Sequence, residues 1–253
     1  MIIDPRGLIL TNAHVAQFLL LKDYSQKDFV TCVGRTGSPA RAAYTLKLFY
    51  ISPPWVQNNY TQITSSKATG TGENDFALLR ITGSTNPDVV APTTFPALAL
   101  DSNENDVQSG DPALLAAYPG GFLGGIAIER DLYLVSTIIH IGQRFTFKSG
   151  SLDAFDLGGS PVAQHGSSGG AAVSGQGKLL GIIVTSTDAE KTADRDLQAI
   201  SLSHIDRSFS EDRHATLESL LSASLTDFSE KFDREIASGL KKIYIDYLDS
   251  KNH

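Results

Sequence analysis

Residues 165–170 have the sequence His-Gly-Ser-Ser-Gly-Gly, in which two serines are enclosed by glycines. The apolar residues 171–173 follow, and Ser-Gly-Gln-Gly at 174–177 separates them from a second apolar stretch at 179–185. This alternation of apolar runs and turn residues predicts a β-hairpin directly after the glycine-rich segment. Because glycine adopts backbone conformations that other residues avoid, neighbouring amide groups can converge on one point there. The segment therefore predicts a serine held beside main-chain donors on a β framework.

A histidine and an aspartate occur in two other segments where a strand meets a turn. Residues 10–15 are Leu-Thr-Asn-Ala-His-Val, so a strand ends at His14. Residues 73–79 are Glu-Asn-Asp-Phe-Ala-Leu-Leu, so Asp75 opens an apolar strand. A serine hydroxyl needs an adjacent base to attack a carbonyl, imidazole has a suitable pKa of about 6.5, and a carboxylate holds the ring in the correct tautomer. The pattern predicts a nucleophilic site of His14, Asp75 and Ser168.

The glycine-rich turn also supplies candidate donors for an oxyanion, namely the amides of Gly166 and Ser168. Ser167 competes with Ser168 as the nucleophile, although only Ser168 directly precedes Gly-Gly, and Asp88 is a fallback for the acid. The turn lacks the Gly-Lys-Ser/Thr ending of a phosphate-binding loop, which argues against a nucleotide site. The other histidines have no motif and are interpreted as surface or packing residues, with His165 near enough in sequence to line the site: His140, His165, His204, His214 and His253.

These motifs resemble the three signatures of trypsin-like serine proteases, and they are closest to the bacterial HtrA/Deg branch. The resemblance is carried by Thr-Asn-Ala-His-Val at 11–15, Asp-Phe-Ala-Leu-Leu at 75–79 and Gly-Ser-Ser-Gly-Gly at 166–170. Residues 109–120 resemble the segment that opens the second barrel in that branch, and residues 177–183 resemble the strand after the nucleophile. Three motifs in the family's order make this a specific resemblance, over about residues 1–205.

The resemblance implies a mainly β, chymotrypsin-like fold of two antiparallel six-stranded β-barrels with the active site between them. It implies a first barrel over residues 1–100 with His14 as general base and Asp75 as orienting acid, and a second barrel over 101–207 with Ser168 as nucleophile. The implied function is a serine endopeptidase that acts on polypeptides through an acyl-enzyme, in protein quality control, without metal or cofactor. A catalytically silent protease-fold binding or assembly module is the alternative.

Departures from the family pattern predict how substrates and activation differ. The family usually has Asp or Asn before the nucleophile, whereas Ser167 stands here, so we expect no activation by an ion pair with a new N-terminal amine. The residue six before the nucleophile, which forms the base of the primary pocket in this fold, is Val162. The pocket wall, which would also pair with an extended substrate, is expected at Val184, Thr185 and Ser186. With no carboxylate there, we expect cleavage after small or medium apolar residues.

Short apolar runs predict further strands at 42–51, 76–81, 112–117 and 133–142. Asp-Pro-Arg-Gly at 4–7 predicts a tight turn, but only about three residues precede it, where strands usually run about five or six. We therefore expect an incomplete first barrel whose upstream part lies outside this sequence, and the PDZ module of the HtrA branch is not found in it. The polar stretch 57–74 is expected to be a surface loop, and the stretch 82–96 is expected to be a linker or a loop region.

The period of the apolar residues changes at about residue 208. Leucine, isoleucine and aromatic residues recur every three or four positions from Leu217 to Tyr247, which predicts an amphipathic helix over 208–253. Ser210 is the expected N-cap, and Gly239 is an expected kink. The apolar stripe is expected to pack on the protease body or on another copy, so a homo-oligomer through this helix is one prediction.

Composition narrows the classes of partner. The formal net charge is −7, with a pI of about 5.3. Nucleic-acid-binding proteins more often have a basic surface, so no nucleic-acid partner is expected. The lone Cys32 excludes a disulfide within the chain and a multi-cysteine metal site. No stretch reaches the roughly 18 apolar residues of a membrane span, so no membrane insertion is expected. No signal peptide is visible; the resemblance suggests an extracytoplasmic or cell-envelope location, and the compartment is otherwise unknown.

Overall fold

Two β-sheets stand side by side in the computed structural model, which describes residues 1–65, 72–120, 132–147, 150–160, 162, 166–185 and 197–251. The first sheet is antiparallel and has five strands among the described residues, in the order β1-β2-β5-β4-β3. Its strands are β1 (Ile2–Asp4), β2 (Leu8–Thr11), β3 (Val33–Thr36), β4 (Ala42–Ile51) and β5 (Ala77–Ser84). The sheet is open, because β1 and β3 each have one neighbour within it.

The second sheet follows the order β8-β7-β11-β12-β13-β10-β9, with β6 attached parallel to β12. Its strands are β6 (Ala99–Leu100), β7 (Pro112–Ala117), β8 (Val135–His140), β9 (Arg144–Phe145), β10 (Ala154–Asp156), β11 (Ala171–Ser174), β12 (Lys178–Thr185) and β13 (Leu197–Ser201). The predicted mainly β, double-sheet fold is confirmed. The described strand counts are five and eight rather than six and six, because the short strands β6 and β9 join the second sheet while the first stays open.

Two apolar cores lie on the two faces of the second sheet. Strand β12 shows this directly, since Ile182 packs into the core shared with the first sheet and Ile183 packs into the other core. Side chains alternate between faces along a strand, so one strand serves both cores. The junction between the two sheets is therefore itself buried and apolar, and it supplies a rigid base for loops at its rim.

The turns predicted from glycine and proline are present. The Gly7 amide donates to the Asp4 carbonyl oxygen at 2.9 Å, and Gly7 has a φ of +83°. Strands β4 and β7 occupy the predicted residues, and β11 and β12 form the predicted hairpin. The loop predicted at 57–74 is wrong in its first part, because α2 (Pro53–Asn59) and a 3-10 helix (Tyr60–Thr64) lie there. The Ser52 hydroxyl caps α2 by accepting from the Trp55 amide at 3.4 Å.

The C-terminal part is helical, as predicted, but it is divided into several helices. They are α3 (Leu202–Arg213), α4 (Leu217–Ser222), α5 (Leu225–Phe232), a π-helical turn (Asp233–Ala237) and α6 (Ser238–Lys251). Ser201 rather than Ser210 caps α3, since its hydroxyl accepts from the His204 amide at 3.0 Å. The expected kink is not at Gly239, which lies inside α6; the chain leaves α-geometry at His214, which has a φ of +53°, and at the π-helical turn.

The apolar stripe of these helices packs on the first sheet of the same chain. Phe228 stacks on Phe49 at a centroid distance of 5.0 Å, and Phe232 lies 5.4 Å from Tyr50. This is the first of the two arrangements expected from the sequence, and association between copies stays a prediction. Among the described helices, none combines the length and the apolar character that a transmembrane segment requires.

Candidate active site

His14 lies on a single helical turn, α1 (Ala13–Ala16), that follows the end of β2. The preceding Asn12 is fully buried, and its side-chain amide donates to the Asp75 carbonyl oxygen at 3.0 Å. Strand β2 pairs with β5 so that Thr11 stands opposite Ala77. The sheet register therefore places the end of β2 beside the start of β5. His14 follows the end of β2, and Asp75 precedes the start of β5.

The carboxylate of Asp75 uses both oxygens to hold His14. Its Oδ2 lies 2.6 Å from His14 Nδ1, and its Oδ1 accepts from the His14 main-chain amide at 2.8 Å. The Asp75 side chain is 6% exposed and the His14 side chain 33% exposed. Because an ionised carboxylate only accepts hydrogen bonds, the proton between them belongs to Nδ1, which leaves a lone pair on Nε2 of the neutral ring. The ring is thus oriented to accept a proton at Nε2.

A tight turn places Asp75 at the start of β5. The Asp75 amide donates to the Gly72 carbonyl oxygen at 3.1 Å, and the Phe76 amide donates to that of Asn74 at 2.8 Å. Asn74 has a φ of +59°, a left-handed conformation that asparagine tolerates better than most residues. The Ser208 hydroxyl of α3 donates to the Asn74 side chain at 2.7 Å, so a C-terminal helix supports this turn.

Ser168 lies in the glycine-rich turn that leads into β11. The Gly169 amide donates to the Ile183 carbonyl oxygen at 3.0 Å, and the Ile183 amide returns a bond to Gly170 at 2.8 Å. A Cβ atom on Gly169 would stand 2.5 Å from Thr11 Oγ1. The turn therefore approaches the end of β2 so closely that only glycine fits at position 169. The structure therefore brings His14 and Asp75 into contact and sets Ser168 at the same junction of the two sheets.

The two serines of the turn differ in exposure. Ser167 is fully buried, and its hydroxyl donates to the Val162 carbonyl oxygen. Ser168 is half-buried and lines, with Gly169, Thr11 and Val15, a cavity of about 700 Å³. Only the Ser168 hydroxyl is therefore exposed to a molecule entering this cavity. Asp88, the fallback acid, is exposed.

The amides of the turn divide into two sets. Those of Gly169 and Gly170 bond to carbonyl oxygens of Ile183 and Ser167. Within the described ranges, no acceptor is found for the amides of Gly166 and Ser168. Gly166 has a φ of +93°, and a Cβ there would stand 2.9 Å from the Gly120 nitrogen. Only glycine fits at this position, and the role of the Gly166 and Ser168 amides as oxyanion donors stays a prediction.

A family described as trypsin-like peptidase domain matches residues 1–182, which is most of the chain. The chain belongs to the trypsin-like peptidase family. Its enzyme class is that of the serine endopeptidases. No curated protein matches this peptidase in sequence.

Solved structures similar to the peptidase are those of HtrA-type and related serine proteases. The Rv3671c protease of M. tuberculosis in its active form has a TM-score of 0.49 and 15% identity, covering 83% of this chain and 70% of that one. The HtrA-type protease AlgW with a decapeptide has a TM-score of 0.47 and 19% identity, covering 85% of this chain and 51% of that one. A serine endoprotease from Yersinia pestis has a TM-score of 0.46 and 20% identity, covering 79% of this chain and 52% of that one. The peptidase thus spans about half the length of the last two.

The residues predicted to bind substrate lie in different surroundings. Val162 is fully buried, and its side chain packs into the second core. Val184 is half-buried and pairs with Gln198 across β12 and β13, and Thr185 ends β12. Ser186 lies outside the described residues. The main chain of β12 therefore leads toward the predicted pocket wall, while the role of each side chain stays a prediction.

A second buried histidine–aspartate pair lies away from Ser168. His204 Nδ1 is 3.0 Å from Asp153 Oδ1, and Arg207 donates to the same oxygen at 2.7 Å. Burial lowers the pKa of His204, which favours the neutral ring with Nδ1 donating to the carboxylate. Sequence reasoning interpreted His204 as a packing residue, and nothing in the sequence joins it to Asp153. His140 and His214 are exposed, whereas His165 and His253 lie outside the described residues.

Proposed function

We propose that the peptidase hydrolyses peptide bonds with His14 as general base, Asp75 as orienting acid and Ser168 as nucleophile. The observation that carries this proposal is the contact of 2.6 Å between His14 Nδ1 and the buried Asp75 carboxylate. A buried carboxylate bonded to Nδ1 stabilises the imidazolium that forms when Nε2 takes a proton. Support also comes from Ser168, which is accessible at the same junction of the sheets.

The proposed reaction has two stages, with His14 moving the protons. In the first, Ser168 Oγ attacks the carbonyl carbon while its proton passes to His14 Nε2. The C–N bond then breaks, the amine leaves with that proton, and an ester to Ser168 remains. In the second, a water gives a proton to Nε2 and attacks the ester, and Ser168 regains its proton as the acid leaves. The Gly166 and Ser168 amides donate to the oxyanion, and each such donor contributes about 3 kcal/mol to the lowering of the barrier.

A fluorophosphonate probe tests this proposal, because it labels only a serine activated in this way. We expect the probe to modify the full chain once, and peptide mass spectrometry should locate the label on Ser168. The Ser168→Ala variant should lose the label, while a control variant at the exposed Ser136, Ser136→Ala, should keep it. A folded wild-type protein that takes no label, or a Ser168→Ala variant that still does, would refute the enzyme and favour the silent binding module.

For substrates, we propose polypeptides cleaved after small or medium apolar residues, in protein quality control. Val162, at the proposed pocket base, has no charge to receive a basic side chain. An extended substrate would pair with the main chain beyond Val184, as peptides commonly do at an exposed strand. A peptide library should show Ala, Val or Leu before the cut at least tenfold more often than Lys or Arg. Cleavage mainly after Lys or Arg would contradict this specificity and leave the proposed triad untouched.

A further inference from the structure

Two buried side chains form a hydrogen-bonded chain behind His14. Gln17 Nε2 donates to the His14 carbonyl oxygen at 2.8 Å, and the Tyr244 hydroxyl of α6 donates to Gln17 Oε1 at 2.9 Å. Gln17 is 5% exposed and Tyr244 is fully buried. A helix near the C-terminal end of the sequence thus contacts, through one side chain, the main chain of the proposed general base.

The direction of each bond in this chain follows from chemistry. A carbonyl oxygen can only accept, so the end of Gln17 that faces His14 must be its NH₂ group. Gln17 Oε1 then faces Tyr244 and accepts from the hydroxyl. Burial, followed by the negative charge of Asp75, raises the pKa of Tyr244, so the hydroxyl keeps its proton. The three groups therefore have one consistent hydrogen-bond arrangement, without an alternative that reverses it.

Helix α6 is held in place independently of Gln17. Leu240 is buried in the shared core, and Ile243 and Leu248 of the same helix pack against that core. The Tyr24 hydroxyl also donates to Asp249 at 2.9 Å. With α6 fixed at these points, the Tyr244 hydroxyl is a stationary donor, and Gln17 transmits its position to α1. A helix of one turn has little stability of its own, so an external anchor matters at His14.

We propose that Tyr244 and Gln17 are positioning residues for the general base, which makes the C-terminal helix part of the catalytic unit. The kinetic part of this inference rests on the proposed function. Neither residue touches the substrate; both act by holding the main chain at His14 so that its ring stays aligned between Asp75 and Ser168. Small displacements of a catalytic group lower turnover strongly, so loss of the anchor should reduce kcat with little change in KM.

The Tyr244→Phe variant removes one oxygen and keeps the ring that fills the core. We expect kcat on a peptide substrate to fall about tenfold or more, with KM within about twofold. Tyr247→Phe is the matched control, since it makes the same change one turn later on the same helix, where the hydroxyl is hydrogen-bonded, among the described residues, to residues 61 and 64. It should leave kcat unchanged. Equal kcat values for both variants and the wild type would overturn the proposal.

A second variant tests whether the two residues act as one unit. Gln17→Met keeps the length of the side chain but can neither donate to His14 nor accept strongly from Tyr244. If the relay exists, the double variant Gln17→Met with Tyr244→Phe should lose no more kcat than Gln17→Met alone. Losses that multiply would show that the two residues act separately and would contradict the relay.

A measurement without turnover separates this inference from the proposed function. The NMR signal of the His14 ring Cε1–H, assigned by its loss in His14→Gln, should shift in Tyr244→Phe and stay in place in Tyr247→Phe. The phenyl ring remains in both variants, so the shift reports movement of His14. An inactive wild type would refute the proposed function, and this signal would still decide the relay: a moved signal supports it, and an unmoved signal overturns it.

Discussion

Replacing Asp75 with asparagine should lower kcat roughly 10⁴-fold with little loss of stability. In the wild type, Oδ1 accepts from the His14 amide and Oδ2 faces Nδ1. An asparagine that keeps the first bond must turn its NH₂ group toward Nδ1. Nδ1 then has to accept, the ring proton moves to Nε2, and Nε2 can no longer take the proton of Ser168. The chemical change is one atom, but it imposes the wrong tautomer.

The kinetic constants of Asp75→Asn, measured on a peptide substrate beside urea unfolding curves, check this expectation. Asp88→Asn is the control, because Asp88 is exposed and bears the same substitution. It should retain wild-type kcat. If Asp75→Asn kept kcat within tenfold of wild type while folded, Asp75 would not be the orienting acid and the proposed mechanism would fail.

Of the substitutions proposed here, Asp153→Ala should destabilise the fold most, lowering the free energy of unfolding by about 3–5 kcal/mol. The buried Asp153 carboxylate accepts from the Phe147 amide at 2.6 Å, Arg207 at 2.7 Å, His204 at 3.0 Å and the Thr146 hydroxyl at 3.2 Å. Alanine would leave these donors without their acceptor, and unpaired buried donors are costly. The cluster joins α3 to the second sheet, so that junction should loosen first.

Urea unfolding followed by far-UV circular dichroism measures the loss. Asp246→Ala is the control, because Asp246 pairs with Lys242 at 2.8 Å on the exposed face of α6. Exposed pairs of this kind contribute at most about 0.5 kcal/mol. A loss for Asp153→Ala that does not exceed that of Asp246→Ala would show that the buried cluster does not stabilise the fold.

The parts of the fold that the sequence predicts well depend on local signals. Strands β4 and β7 and the hairpin of β11 and β12 are bounded by turn residues, and their apolar runs are long enough to define them. The turn at 4–7 follows from Pro5 and Gly7. The short strands β9, β10 and β13 have few residues and weak boundaries, so only the pairing along the second sheet identifies them. The break at Ala223 was missed because the apolar period from Leu217 to Tyr247 continues across it, and the break at His214 was missed because it lies before that period begins.

The candidate site shows the same division. His14, Asp75 and Ser168 were singled out because each stands where a strand meets a turn, and the sheet register accounts for the contact between the first two. Gln17 carries no motif and was missed, since its importance comes from Tyr244, far away in the sequence. A long-range hydrogen bond between buried side chains leaves no local pattern. Apolar periodicity placed Tyr247 on the stripe but did not distinguish Tyr244.

The bond between Tyr244 and Gln17 joins residues 227 positions apart. A ribosome therefore makes Tyr244 well after His14, Asp75 and Ser168, and the contact cannot form before that. Once Ser168 has been made, the growing chain would hold all three proposed catalytic groups while Tyr244 was still missing. The order of translation would then delay full proteolytic competence until α6 docks.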